Sequence, residues 1–186
     1  MIRILKEDEE NENMNNEREQ QYLDYLTRHI SNVQKAYAEF FKDNLLVDSN
    51  LDVEEIAELE KEIENHDQSK YDKSNEWYQY LDNFYPISEE DKQANKDSYH
   101  QAWNHHQKTN PHHWQYWVLI RDEGDVKPLP MPEIQVIHML CDWRSFGYID
   151  PTSTASHWYN TNQNKMLLHN ETKKMIEYYL DLYEGL

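Results

Sequence analysis

One cysteine, three glycines and six prolines in 186 residues each close off a class of structure. With Cys141 alone there is no intramolecular disulfide framework and no multi-cysteine zinc knuckle, so any bound metal must be held by histidine, aspartate and glutamate. Three glycines suit helices better than hairpins, and strand-like alternation of apolar and polar residues is absent. No long apolar run occurs, and Met1 to Leu5 is too short for a signal core before it meets Lys6-Glu7-Asp8-Glu9-Glu10. The expectation is a cytoplasmic protein that does not enter a membrane. Positive charge is also scarce, with 18 basic against 36 acidic residues and a net charge of −18. This argues against general affinity for DNA, RNA or anionic membranes, all of which need a positive footprint. The acidic surface reads first as a solubility device, and second as a mimic of nucleic acid offered to a binding partner.

The length fits one domain able to bury a single core without disulfides. Residues 1–21 are polar, lack a sustained apolar period and are expected as an acidic tail or solvated lead-in. The rest, 22–186, is expected as one domain. Tyr22, Leu26, His29, Val33, Ala36 and Phe40 recur at alternating steps of four and three, the period of one helix face. After a loop around Asp43-Asn44 and Asp48-Ser49-Asn50, the positions Val53, Ile56, Leu59, Ile63 and His66 step in the same way. Nine acids and one lysine between Asp48 and Asp67 fall mostly on the outward face of that helix. Glu54, Glu58 and Glu62 share that face.

A helix over Tyr71 to Phe84 is ended by Pro86, and Ser88 caps the next acidic start. The following helix carries Tyr99, Ala102, Trp103 and His106 on one face, which favours His106 over His105 as the inward residue. Asn110-Pro111 reads as cap and first helical position of a short helix through His112, His113, Trp114 and Trp117. Asp122 to Pro132 is the clearest loop. Ile134, Ile137, Cys141 and Asp142-Trp143 return to helical spacing. Residues 149–163 are expected as a mobile surface segment or lid, and Asn170 opens the last helix. The fold class is therefore all-α, a helical bundle of about six to eight helices.

The chemistry gathers on histidines and aspartates. His66-Asp67 places a neutral nitrogen donor beside a charged oxygen donor, a mixture that suits zinc, iron or manganese. Each histidine on an apolar face has a plain reading as a buried, hydrogen-bonded side chain, and convergence is what separates the two. In order the set is His29, His66-Asp67, His106, His112-His113 and Asp142, one ligand or pair per expected helix.

This order resembles the HD-domain metal-dependent phosphohydrolases, over roughly residues 22–145. Lys70, three residues after Asp67, and the His112-His113 pair bring it nearest to the HD-GYP branch. The Gly-Tyr-Pro signature of that branch is absent, since His113 is followed by Trp114-Gln115-Tyr116-Trp117. The chain also resembles a set of small bacterial and phage proteins that share His-Asp-x-Ser-Lys and Asn-x-His-His-x-x-Tyr-Trp. The resemblance implies that His29, His66, Asp67 and Asp142 hold one metal. Asp67 would bridge to a second held by the additional histidines, with Fe, Mn, Zn, Co or Ni as candidates. Two such ions stabilise the attacking and leaving oxygens of a phosphoryl transfer. Asp67 and Lys70 are then the catalytic candidates, Lys70 neutralising a phosphate oxygen of a small nucleotide or related ester. HD-type di-iron oxygenases share the ligand pattern, which leaves oxygen chemistry as an alternative beside hydrolysis and beside the acidic mimic.

Overall fold

A computed structural model describes residues 2–184, with side chains from residue 12 onward. The expected all-α class is what the structure shows. Among the described residues there are nine α-helices and one two-stranded sheet: α1 (Ile2–Phe40), α2 (Leu45–Asp48), α3 (Val53–Glu64), α4 (Trp77–Phe84), α5 (Glu89–Ala94), α6 (Lys96–Thr109), β1 (Val118–Ile120), β2 (Val126–Pro128), α7 (Glu133–Ser145), α8 (Ala155–Asn162) and α9 (Asn170–Glu184). No helix among them is long and apolar enough to cross a membrane.

The polar stretch expected as a tail is helical in its described part, because α1 runs without a break from Ile2. Glutamate, glutamine and arginine are good helix formers whether or not one face is apolar, so absence of a period was no sign of absence of a helix. From Tyr22 onward the expected stripe is real: Tyr22, Leu26, His29, Val33 and Ala36 are all buried.

The chain divides into two compact units, residues 1–28 with 69–106 and residues 29–68 with 107–186. The first unit is packed largely by aromatic rings. Tyr22 meets Trp77 edge-on at 4.9 Å and Tyr80 meets Tyr99 at 5.6 Å, geometries that ring quadrupoles favour. Arg18 donates to Asp82 Oδ1 at 2.6 Å and to the Tyr85 carbonyl, tying α1 to the end of α4.

The second unit holds the main apolar core, in which Val33 and Ala36 of α1, Leu59 and Ile63 of α3, Val136, Ile137 and Leu140 of α7 and Ile176, Tyr179 and Leu180 of α9 are buried together. Its hairpin pairs Val118 with Pro128 and Ile120 with Val126, and Gly124 supplies the positive φ of 85° for the turn. Three-residue strands are too short to show alternation, so β2 lies inside the expected loop of Asp122 to Pro132. The segment 149–163 is also ordered more than expected: the Thr154 side chain caps α8 by accepting from the His157 N–H, and Ala155 and Tyr159 are buried.

Candidate metal centre

Within the second unit, three local structures carry the candidate ligands to one place. His29 rides on the apolar face of α1. Helix α3 starts at a capping box, with Asp52 accepting from the Glu54 and Glu55 N–H groups while Glu55 accepts from the Asp52 N–H. It closes on Asn65, so that His66 and Asp67 stand in the turn just beyond it. Asp67 has φ +58°, a left-handed backbone that aspartate tolerates better than most residues and that clusters at functional sites. Asp142 comes from the last turn of α7.

Four side chains then meet. His29 Nε2 lies 3.2 Å from His66 Nε2, 3.2 Å from Asp142 Oδ1 and 3.5 Å from Asp67 Oδ2. His66 Nε2 lies 3.4 Å from Asp67 Oδ2 and 3.8 Å from Asp142 Oδ1. Atoms bound to one ion at about 2.0–2.2 Å are separated by about 3.0–3.5 Å in tetrahedral or octahedral arrangements, close to most of these separations; His29, His66 and Asp142 offer ligand atoms that all lie within 4.8 Å of one another and could hold a divalent metal, with Asp67 beside the two imidazoles. Two imidazoles and two carboxylates also balance a 2+ charge. His29, His66 and Asp67 are almost fully buried, which limits competition from water.

The protonation of the cluster follows from the same contacts. Burial pulls the His29 imidazole down, but hydrogen bonds and charges from Asp142 and Asp67 outweigh it and raise its pKa to about 9. Burial raises the Asp142 carboxyl, yet the His29 hydrogen bond and charge hold it below the usual carboxylate range. His66 is lowered by burial, and His112 well lowered by burial and by the charges of neighbouring histidines. Without a metal, the proton of the cluster therefore sits on His29.

A second group adjoins the first through Asp67. Its Oδ1 faces His112 Nε2 at 3.5 Å, and Asp67, His112 and His113 each offer a ligand atom within 4.8 Å of the others. One carboxylate thus has an oxygen toward each group. The loop carrying the two histidines is pinned by Trp117, whose indole N–H donates to the Pro111 carbonyl at 2.8 Å, and by Lys108, which donates to the Gln115 carbonyl at 2.6 Å. The expected short helix is only a 3-10 turn over Trp114–Trp117.

Residues 18–182 match the family of unknown function DUF5662. The chain belongs to that family. No curated protein and no solved structure matches it.

Of the residues picked out by sequence in this DUF5662 chain, the second unit brings together His29, His66, Asp67, His112, His113 and Asp142. His106 and Lys70 belong to the first unit. There His106 is the inward residue of α6, fully buried against a half-exposed His105. Its Nδ1 lies 2.9 Å from Glu76 Oε2 and 2.9 Å from Ser69 Oγ, and buried Glu76 also takes His105 Nδ1 at 2.7 Å. Lys70 Nζ stands 5.4 Å from the Tyr80 ring centroid.

Four residues of the second unit were missed. His138 Nε2 lies 2.9 Å from His66 Nδ1, Ser145 Oγ lies 3.2 Å from His29 Nδ1, and Gln135 and Glu62 complete the set. Gln135, His138, Asp142 and Ser145 step by three, four and three along α7, a polar stripe in which Gln135, His138 and Ser145 are buried among the helix's apolar residues. That spacing was the available signal. Glu62, expected on the outward face with Glu54 and Glu58, instead accepts from Gln135 Nε2 at 2.9 and 2.8 Å and lies 3.4 Å from His138 Nδ1. The face of α3 opposite its apolar stripe is narrower than the acid run suggests, and Glu62 falls at its edge toward α7.

Proposed function

We propose that the protein is a metal-dependent phosphohydrolase of the HD type, acting in the cytoplasm on a nucleotide or related phosphate ester. The observation that carries this reading is the approach of His29 and His66 to each other and to Asp67 and Asp142, at 3.2–3.8 Å, with Asp67 turning its second oxygen to His112. His29 and His66 through Nε2, with Asp67 and Asp142, would hold one divalent ion. Asp67, His112 and His113 would contribute to a second. When bound, such ions supply Lewis-acid stabilisation of phosphoryl oxygens and a more acidic water.

The chain's own residues supply the rest. Two carboxylates neutralise one 2+ charge, so a second ion leaves the centre positive and attractive to a phosphate despite the acidic surface. Burial keeps the His66 and His112 imidazoles neutral donors and limits the access of bulk water. Lys70 is the cation that the resemblance assigns to a non-bridging phosphate oxygen. Gathered histidines support an enzyme over an acidic mimic, for which a shared ligand cluster has no use.

The test is hydrolysis of a panel of nucleoside monophosphates, linear and cyclic dinucleotides and bis(p-nitrophenyl) phosphate after loading with Mn2+, Fe2+, Co2+, Ni2+ or Zn2+. Hydrolysis is expected only with metal. Asp67→Asn should lose metal and activity together, whereas Lys70→Ala should retain metal and lower kcat/KM about tenfold, the loss of one charge contact worth about 1.4 kcal/mol. Full activity in Asp67→Asn refutes metal catalysis.

A further inference from the structure

We propose that Glu62 and His138 are positioning residues for His66: a hydrogen-bonded chain from Glu62 through His138 fixes the His66 imidazole in the tautomer whose Nε2 lone pair faces Asp67, Asp142 and His29. This rests on the metal-centre reading above and assigns the parts that hold it in shape.

Glu62 as a carboxylate only accepts, and Gln135 Nε2 holds both its oxygens, at 2.9 and 2.8 Å. Its Oε2 faces His138 Nδ1 at 3.4 Å, so His138 carries its proton on Nδ1 and presents a bare Nε2. That Nε2 lies 2.9 Å from His66 Nδ1, and only one of the two nitrogens can carry the proton. With His138 Nε2 bare, His66 Nδ1 donates and His66 Nε2 is left unprotonated. The other ring is set in a parallel way, since Ser145 Oγ lies 3.2 Å from His29 Nδ1. His66 and His138 are buried, at 1% and 3% exposure, so water does not replace these partners. A metal-bound imidazole held by such an outer partner gains both orientation and basicity.

His138 has a rival role as a ligand itself, because His66, His112 and His138 each offer an atom within 4.8 Å of the others. The chain of hydrogen bonds already uses both His138 nitrogens, which favours positioning. The two roles separate by experiment.

Zn2+ affinity and stoichiometry are measured by calorimetry on the full chain and on His138→Phe, His138→Gln and Glu62→Ala, with folding checked by circular dichroism. Phenylalanine fills the space without accepting a hydrogen bond, whereas the glutamine amide oxygen can accept from His66 Nδ1. His138→Phe should weaken Zn2+ binding about 10–100-fold, the usual effect of removing an outer partner. His138→Gln should restore it to within about threefold of wild type, and Glu62→Ala should fall between. Proton–nitrogen correlation spectra of the Zn2+-loaded wild type should show His66 protonated at Nδ1, with that hydrogen-bonded proton lost in His138→Phe. If His138→Phe does not fold, the Gln and Glu62→Ala comparison decides. Wild-type affinity in a folded His138→Phe overturns the positioning role and leaves the metal centre standing. Loss of a whole ion per chain in His138→Gln overturns it in favour of a ligand. A wild type that binds no Zn2+ removes the metal centre and the positioning role together.

Discussion

Binding of the first metal ion at pH 7 is expected to expel close to one proton, because the place on His29 Nε2 that the ion needs is occupied. Asp142 Oδ1 at 3.2 Å and Asp67 Oδ2 at 3.5 Å hold that proton and raise the imidazole to about 9. Two pH units below that value, about 99% of the molecules carry it. The other groups contribute little: the Asp142 carboxyl is already ionised, and His66 and His112 are already neutral. Apparent affinity should therefore rise about tenfold per pH unit, or about 1.4 kcal/mol, and flatten above about pH 9. From pH 6 to 8 the gain is about 100-fold. Calorimetric titration of the metal-free protein with Mn2+ in buffers of different ionisation enthalpy counts the protons directly, and Asp142→Asn, which weakens the hold on the proton, should lower the count. An unchanged affinity between pH 6 and 8, with no proton released at pH 7, would rule out a metal-displaced proton on His29. The same shift fixes a stability trend in the metal-free state. A histidine raised from 6.5 to about 9 stabilises the fold in full below pH 6.5 and loses that contribution as pH rises to about 9, a span of about 3 kcal/mol.

Other outcomes follow from burial and position. Glu54→Gln and Glu58→Gln, both on the exposed face of α3, should leave metal content and hydrolysis unchanged and move stability by less than about 0.5 kcal/mol in urea unfolding; a loss of function there would favour the nucleic-acid mimic. Ile137→Ala, in a fully buried site among α3 and α9 residues, should cost about 2–5 kcal/mol by the same assay. Asp52→Ala removes the start of the capping box of α3 and should cost about 1 kcal/mol, without changing which residues bind metal.

What was legible in the sequence was whatever repeats with the helix period. His29 and His66 stand on apolar stripes and were found for that reason, and Asp67 and Asp142 followed from their neighbours and from the resemblance. His138 escaped because α7 reads as apolar nearly all round, so a histidine between Ile137 and Met139 looks like core filling. The polar three-four-three spacing through Gln135, His138, Asp142 and Ser145 emerges only once a second stripe is sought on a helix already counted as buried. Glu62 escaped for the opposite reason, lost in a run of acids in which composition gives no hint that one member turns inward. The hairpin and α8 lay below the resolution of periodicity, with three residues per strand in one case and two inward residues in the other.

Elemental analysis of the purified protein, set beside Asp67→Asn purified in parallel, decides whether these histidines and aspartates hold metal. The wild type is expected to carry stoichiometric transition metal, one to two ions per chain, and the variant, which keeps the side-chain shape and the left-handed backbone at residue 67, to lose most of it. Absence of metal from the wild type after loading with each candidate ion, or equal content in both proteins, would contradict a metal centre at these residues.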